Sequence, residues 1–229
     1  FDVASNSASQ ANIKLLIDAE ESWMQRAADE LCTDLMAKYN QKRVVVFNTL
    51  QCYRWDRLDY LKEEHKKALA NGYKLGYKIV RGAYLEKENE RAEAMGYKSP
   101  IFETKEATDT CFNEVLNYIL NNLSEIELFI GTHNEESCYL AMNLMNELNI
   151  DKSDNNVWFG QLYGMSDHIS FNLANQGYNV AKYLPFGPVK DVMPYLIRRA
   201  EENTSVAGQT GRELVLLTKE KKRRKALGV

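Results

Sequence analysis

Residues 182–203, KYLPFGPVKDVMPYLIRRAEEN, place a strand, a sharp break and a helix directly after one another. Gly187 and Pro188 end the strand, because proline has no N–H for the ladder and fixes its own φ angle. Beyond the break, Asp191 can cap a helix whose first turn tolerates Pro194, since the N–H that proline lacks would be unsatisfied there. The segment therefore predicts a strand that leads straight into a helix.

The predicted helix has one polar face. At 3.6 residues per turn, its polar stripe falls at i, i+3, i+4 and i+7, on Tyr195, Arg198, Arg199 and Glu202. Two adjacent guanidinium groups beside a phenol can bind a small carboxylate. Charge stripes are more often solvent-exposed faces, with pairs such as Arg198 and Glu202 at i, i+4. Periodicity alone leaves both interpretations open.

The rest of the chain repeats the strand-then-helix pattern. Short apolar runs lie at residues 13–17, 44–47, 77–80, 128–130, 157–159 and 180–184. Between them, helical spacing runs to about 39, over 56–70 and 103–123, to about 148, and over 167–176. Such units in series predict a parallel sheet, since each return needs a right-handed crossover, and uniformly apolar strands are typical of one. The sequence thus predicts an α/β fold, and the lack of GxGxxG disfavours a dinucleotide-binding Rossmann half.

Composition excludes several classes of protein. A net charge of −3 over 229 residues does not suggest a nucleic-acid binder. The four cysteines do not form CxxC pairs, which predicts reduced thiols and neither a disulfide framework nor a metal site. No apolar run reaches the roughly 18 residues of a membrane span, and no signal peptide is visible.

Three regions follow from these patterns. Residues 1–12, FDVASNSASQAN, are small and polar and predict an N-terminal loop. Residues 13–205 form the predicted domain, with the polar-striped helix at its end. Residues 206–229 are a predicted tail, whose basic run KEKKRRK at 219–225 is interpreted as solvated, with a membrane-surface anchor as the alternative.

Polar residues gather just after the predicted strands, where ligands bind in α/β folds. They are Asp18, Gln51, Tyr84, Thr132, His133, Gln161 and Tyr183. Three of them have a simpler interpretation: Asp18 as a helix N-cap, His133 as a hydrogen-bonded structural residue and Tyr183 as core. Gly82-Ala83 leaves room for a flat group to approach the backbone, or is only a tight strand exit.

The motifs IDAEE, TLQCY, KIVRGAY, GTHN, FGQLYG, YLPFGP and YLIRRAEEN occur in this order over residues 13–203. In wording and order they resemble the proline dehydrogenases, flavoenzymes built on a (β/α)8 TIM-type barrel. The resemblance implies oxidation of L-proline to 1-pyrroline-5-carboxylate, the first step of proline catabolism, with hydride transfer to N5 of FAD.

The resemblance also implies roles for individual residues. The catalytic residues would be Asp18, Lys78 and Tyr183. The residues around L-proline would be Tyr84, Leu162, Tyr183, Tyr195, Arg198 and Arg199, with the two arginines as the carboxylate clamp. The residues at the cofactor would be Ala19, Gln51, Lys78, Arg81, Gly82, Ala83, Thr132, His133 and Glu202, the last also pairing with the clamp.

This chain departs from the family pattern at two places. Many bacterial members carry arginine at the place of Lys78 and lysine at the place of Arg81, so which side chain contacts the flavin is open. In the family, a further strand with an active-site lysine precedes the IDAEE strand. Residues 1–12 contain neither. The barrel is therefore predicted to lack its first strand in this chain.

The resemblance implies partners and a location as well. A membrane quinone is the expected electron acceptor, reached by peripheral contact, in the cytoplasm at the inner membrane or alternatively in the mitochondrial matrix. No nucleic acid is expected, and no oligomeric state is predicted. Two other classes stay open: a barrel lyase or phosphate-handling enzyme whose arginines hold phosphate, and a non-catalytic barrel remnant.

Overall fold

A computed structural model describes the backbone of residues 1–205 and 209–227 and the side chains of 1–197 and 214–227. Within these residues, parallel strands form one six-stranded sheet in which each strand pairs with the next along the chain. The strands are β1 Leu15–Leu16, β2 Val46–Gln51, β3 Leu75–Val80, β4 Ile126–Gly131, β5 Val157–Leu162 and β6 Val180–Tyr183. The predicted α/β fold with a parallel sheet is confirmed.

The helices connect consecutive strands, except that the first precedes β1 and the last two follow β6. They are α1 Asp2–Ala11, α2 Ser22–Tyr39, α3 Arg57–Asn71, α4 Leu85–Met95, α5 Lys105–Leu120, α6 Glu135–Glu147, α7 Asp167–Asn175, α8 Val189–Ser205 and α9 Gln209–Leu227. Because the strand order never reverses and crossovers are right-handed, the connecting helices cover one face of the sheet. Alternate strand residues, such as Tyr77, Ile79 and Leu128, pack there against helix residues in the hydrophobic core.

The sheet is curled, and the opposite face is concave. Lys14, just before β1, forms an ion pair of 2.7 Å with Glu127 of β4. In a flat sheet β1 and β4 would lie three strand spacings, roughly 14 Å, apart. The ion pair therefore crosses the hollow of a curled half-barrel, that is, of a barrel in which only some of the strands are present. By alternation and register, the residues of this concave face are Lys14, Leu16, Phe47, Thr49, Gln51, Gly76, Lys78, Val80, Glu127, Phe129, Gly131, Trp158, Gly160, Leu162, Ala181 and Tyr183.

The prediction of a loop over residues 1–12 is wrong. These residues form α1, which packs on α2 and buries Ser5. Asp2 binds Lys38 Nζ and the Tyr39 hydroxyl through its Oδ1 atom, each at 2.8 Å. Small serine and alanine side chains give α1 no large apolar stripe, and this is why the sequence pattern did not reveal the helix.

Two other expectations need correction. Residues 85–95, for which the sequence patterns predict no helix, form α4, a charged helix whose buried side chains are Glu88 and Ala92. The predicted solvated tail is helical in its described part, as α9, and most of its side chains over 214–227 are exposed. The described residues contain no helix long and apolar enough to span a bilayer.

Helix α8 begins earlier than its sequence suggests. Asp191 lies in the first turn and is not the cap, because the carbonyl of Pro188 accepts from the N–H groups of Asp191 and Val192 at 2.9 and 3.0 Å. Pro194 therefore lies inside the helix. There it removes one hydrogen bond to the preceding turn.

Replacing Gly160 by alanine should destabilise the fold. A Cβ atom at Gly160 would overlap the ring of Phe129 on the concave face. Overpacking of this kind costs about 1–3 kcal/mol. We expect the free energy of unfolding, measured by urea denaturation, to fall by that amount. In a Phe129→Leu background the same substitution should cost much less, because the shorter side chain makes room. Strictly additive costs in the double variant would contradict this explanation.

Candidate active site

The carboxyl ends of β1 and β3 meet through an ion pair. Lys78 Nζ of β3 lies 2.5 Å from Asp18 Oδ1, just beyond β1. The Asp18 side chain is 58% exposed and that of Lys78 is 19% exposed, so the pair lies at the open rim of the concave face. Helix α2 begins at Ser22 with Glu21 as its N-cap residue. The alternative role of Asp18 as the helix N-cap is therefore wrong.

Glu20 joins three strand ends. The side-chain amide of Gln51, at the end of β2, donates to the Glu20 carbonyl at 2.7 Å. The Tyr84 hydroxyl, beyond β3, donates to the Glu20 carboxylate at 3.1 Å. Gln51 is buried beneath this turn, whereas Ala19 and Tyr84 are half-buried. Four predicted site residues, Asp18, Ala19, Gln51 and Tyr84, are thus brought to one place.

Gly82 and Ala83 leave backbone open at the rim. Gly82 has a φ angle of 129°, and a Cβ atom there would lie 2.5 Å from the ring of Tyr53. Only glycine fits, both for conformation and for space. Both residues are exposed. A flat ligand could approach this stretch of main chain without meeting side-chain bulk.

Arg81 points into the helix layer and away from the concave face. Its Nε binds Asp109 Oδ1 of α5 at 2.6 Å, and its two terminal nitrogens bind Thr132 Oγ1 at 2.8 Å and Ser137 Oγ at 2.9 Å. The guanidinium carbon lies 4.5 Å from the ring centre of Phe112. Arg81 and Thr132, both predicted cofactor residues, are therefore engaged with each other between β3, β4, α5 and α6.

Alternation along the strand explains the different directions of Lys78 and Arg81. Residues three apart in an extended chain point to opposite faces. Lys78 accordingly reaches the concave face and Arg81 the helices. Among the described residues of β3, Lys78 is therefore the cation that lies at the concave rim.

His133 is held by its neighbours. Its Nδ1 lies 2.9 Å from Ser166 Oγ, and its Nε2 accepts from the Leu162 N–H at 3.5 Å. Acceptance at Nε2 places the ring proton on Nδ1, which then donates to Ser166. The contacts favour the structural interpretation of His133. They also fix the end of β5, where Leu162 lies.

Two aromatic residues meet at the far side of the rim. The ring centres of Tyr183, at the end of β6, and Tyr195, on α8, are 5.8 Å apart with a 59° tilt. Tyr183 is 47% exposed, so its interpretation as core is wrong. Its strand partner is Leu162. The side chains of Arg198, Arg199 and Glu202 lie outside the described residues, although α8 carries their backbone one to two turns beyond Tyr195.

Several residues at the rim or behind it are not predicted by the sequence patterns. Asp109 and Ser137 bind Arg81, and Glu20 joins three strand ends. Alternation of side chains along β3 could have predicted that Arg81 points toward the helices. The sequence gives no indication of which residues it contacts there. Among the described residues, no group of three or more histidine, cysteine or acidic side chains could hold a metal ion.

The chain is similar to known proteins over most of its length. The family model described as proline dehydrogenase matches residues 4–212. Proline dehydrogenase 1, mitochondrial, from Homo sapiens is 40% identical over 231 residues, which cover 100% of this chain and 38% of that protein. The protein of the same name from Bos taurus is 39% identical over 227 residues, covering 98% and 37%. The chain thus spans less than two fifths of the length of these relatives.

A solved structure is similar in fold. The crystal structure of proline utilization A (PutA) from Bdellovibrio bacteriovorus inactivated by N-propargylglycine matches with a TM-score of 0.79 at 27% identity. The match covers 85% of this chain and 20% of that one.

Removing the Arg81 guanidinium should weaken the fold most at neutral pH. Burial raises the pKa of Asp109, but hydrogen bonds from Lys105 and Arg81 outweigh this and lower it below its usual value of 3.8. A carboxyl whose pKa is lowered on folding stabilises the fold above its unfolded pKa and loses that contribution as pH falls. Arg81→Met should therefore lower the free energy of unfolding by about 2–3 kcal/mol at pH 7 and by less toward pH 3.

Urea denaturation across this pH range measures the difference. Arg26→Met is the matched control, because Arg26 pairs with Glu30 at a surface where both side chains are mostly exposed. A loss in Arg81→Met that does not change with pH would contradict the assigned ion pair.

Proposed function

Because this chain belongs to the proline dehydrogenase family, we propose that it carries the site for FAD-dependent oxidation of L-proline to 1-pyrroline-5-carboxylate, the first step of proline catabolism. The observation that carries the proposal is the rim of the concave face. There the Asp18–Lys78 pair and the open backbone at Gly82 lie at strand ends of one curled sheet, and Tyr183 at another strand end contacts Tyr195 of α8. A charged end, an uncluttered main chain and aromatic walls suit a small amino acid beside a flat cofactor.

The residues present fit a flavin. Gly82 and Ala83 offer main chain without bulk, which a planar ring system requires for close approach. Lys78 supplies a positive charge at the concave rim, and Gln51 and Ala19 lie beside it on the adjoining strand ends. When bound, the flavin supplies the redox chemistry by accepting a hydride from the carbon next to the proline nitrogen.

The protein's own task is positioning and electrostatics. Lys78 Nζ stabilises negative charge near the rim, and Asp18 fixes the ammonium group through their 2.5 Å contact. Arg81 acts from the helix layer, because its contacts with Asp109 and Thr132 hold the ends of β3 and β4 at a fixed spacing.

Tyr183 and Tyr195 form apolar walls for the pyrrolidine ring and keep water from it. Arg198 and Arg199 are proposed as the clamp that binds the proline carboxylate, three and four residues beyond Tyr195 on α8. Helical spacing supports this, since residues at i+3 and i+4 lie on the same face as residue i. Glu202 is proposed as the acidic partner of the clamp.

The proposal extends to location and electron acceptor. The relatives from Homo sapiens and Bos taurus are named mitochondrial, which supports the mitochondrial matrix over the cytoplasm as the location of this chain. A membrane quinone reached by peripheral contact is the proposed acceptor. The phosphate-handling and non-catalytic alternatives have no support from the relatives.

Proline should reduce a flavin bound to the purified protein. We expect the visible flavin absorption to bleach when L-proline is added without oxygen, because the substrate's hydride passes to the cofactor. Prior treatment with N-propargylglycine, with which the Bdellovibrio relative was inactivated, should abolish the bleaching by proline. Excess proline present during that treatment should protect the protein from inactivation. A colourless protein would favour the phosphate-handling alternative, and a flavin that proline leaves oxidised would favour the non-catalytic one.

Arg198→Met should raise KM for proline roughly ten- to hundred-fold. A charge-assisted hydrogen bond to the carboxylate contributes on the order of 1.5–3 kcal/mol, and each 1.4 kcal/mol is about tenfold in affinity. Steady-state kinetics measure the change. Arg223→Met, on the exposed part of α9, is the control and should keep the KM of the unaltered protein. An unchanged KM in Arg198→Met would remove the clamp from the proposal.

A further inference from the structure

One face of α4, with the residue that precedes it, meets four consecutive residues at the start of α2. The α4 side presents positions i, i+3, i+4 and i+7, and each meets one residue of the segment 20–23. The Tyr84 hydroxyl binds Glu20 at 3.1 Å, and Lys87 Nζ binds Glu21 at 3.0 Å. Glu88 binds Ser22 twice, and the guanidinium carbon of Arg91 lies 4.5 Å from the Trp23 ring centre. We call these four contacts the α4 interlock.

Glu88 is the buried centre of the interlock. Its residue exposure is 0%, while Lys87 in the neighbouring contact is mostly exposed. One carboxylate oxygen accepts from the Ser22 backbone N–H at 2.6 Å, and the other from the Ser22 hydroxyl at 2.6 Å. Ser22 is the first residue of α2. The negative charge of Glu88 thus lies at the positive end of a helix dipole, which helps to stabilise its burial.

The interlock joins the two sides of the candidate site. On one side, Ala19 and Glu20 lie just before Ser22, and the Glu20 carbonyl holds the Gln51 amide at 2.7 Å. On the other side, Tyr84 follows Gly82 and Ala83 directly. A shift of α4 along α2 would therefore move the Asp18–Glu20 turn relative to the open backbone at 82–83.

We propose that Glu88 is a positioning residue for the flavin side of the site: it caps α2 from α4 and so fixes the 18–20 turn against the 82–84 segment. This inference rests on the proposed function. Surface contacts such as Lys87–Glu21 contribute little on their own, because solvent screens them. The two short bonds of Glu88 are buried and charge-assisted, and these are the strong ones.

The test compares Glu88→Ala with Glu88→Gln and with Glu90→Ala. Alanine removes both bonds, while glutamine can keep them by accepting from the Ser22 N–H and donating to its hydroxyl. Glu90 lies on the same helix but is exposed, so its variant is the matched control. Two quantities are measured for each: the Kd for FAD, and amide hydrogen exchange over residues 19–25 and 82–91 in the protein without flavin.

Glu88→Ala should raise the Kd for FAD about tenfold and speed exchange in both segments together. KM for proline, measured on flavin-loaded molecules, should change less than the Kd for FAD, because the proposed carboxylate clamp lies on α8. Glu88→Gln should restore most of the FAD affinity, and Glu90→Ala should match the unaltered protein. A Glu88→Ala protein with lowered Tm but unaltered Kd for FAD would overturn the inference.

Ser22→Ala decides the matter where Glu88→Ala does not fold. It removes only the hydroxyl bond and should shift the Kd and the exchange rates in the same direction by a smaller amount. Unaltered values in this variant would overturn the inference. An unaltered protein that binds no FAD would overturn the proposed function together with this inference. FAD binding without reduction by proline would overturn the proposed function alone.

Discussion

The ion pair between Lys14 and Glu127 is the contact on which the shape of the site depends. It joins the first strand to the fourth across the hollow of the sheet, and Lys14 also lies 5.4 Å from the Phe47 ring centre and 6.0 Å from that of Trp158. These contacts close the floor of the concave face. Neighbouring strands are about 4.8 Å apart. Without curvature, the polar residues at the strand ends would be spread along an edge and would not face one another.

The two faces of the sheet have different roles: the concave face carries the candidate site, and the opposite face packs against the helices. Lys78 and Asp18 meet at the concave rim, while Arg81, only three residues on, joins α5 and α6 behind the sheet. An exchange of lysine and arginine between positions 78 and 81 is therefore not neutral. The planar arginine with five donors suits three partners at once, and the compact ammonium suits the single carboxylate of Asp18.

The sequence predicted the parallel strands better than the side-chain contacts between distant elements. Parallel strands were visible because buried runs such as 46–47 and 128–130 are apolar throughout, and the carboxyl ends of the strands located Asp18, Gln51, Tyr84 and Tyr183. Helices without an apolar stripe were missed: α1 consists mostly of small and polar residues, and α4 is held by buried polar contacts of Glu88. Alternation along β3 could have predicted that the side chains of Lys78 and Arg81 point to opposite faces of the sheet. Two of the three hydrogen-bond partners of Arg81 come from distant helices and the third follows β4, and no local pattern encodes such pairings.

The length of β1 gives the site a thermodynamic property of its own. β1 has two residue pairs with β2, whereas β3 and β4 share five. Short ladders open locally at a lower free energy than central strands. Asp18 therefore follows the strand that separates from the sheet most readily, and a molecule bound against Asp18 and Lys78 would hold that strand closed. Occupancy of the rim and the integrity of this side of the half-barrel are then linked by mass action, so that each strengthens the other.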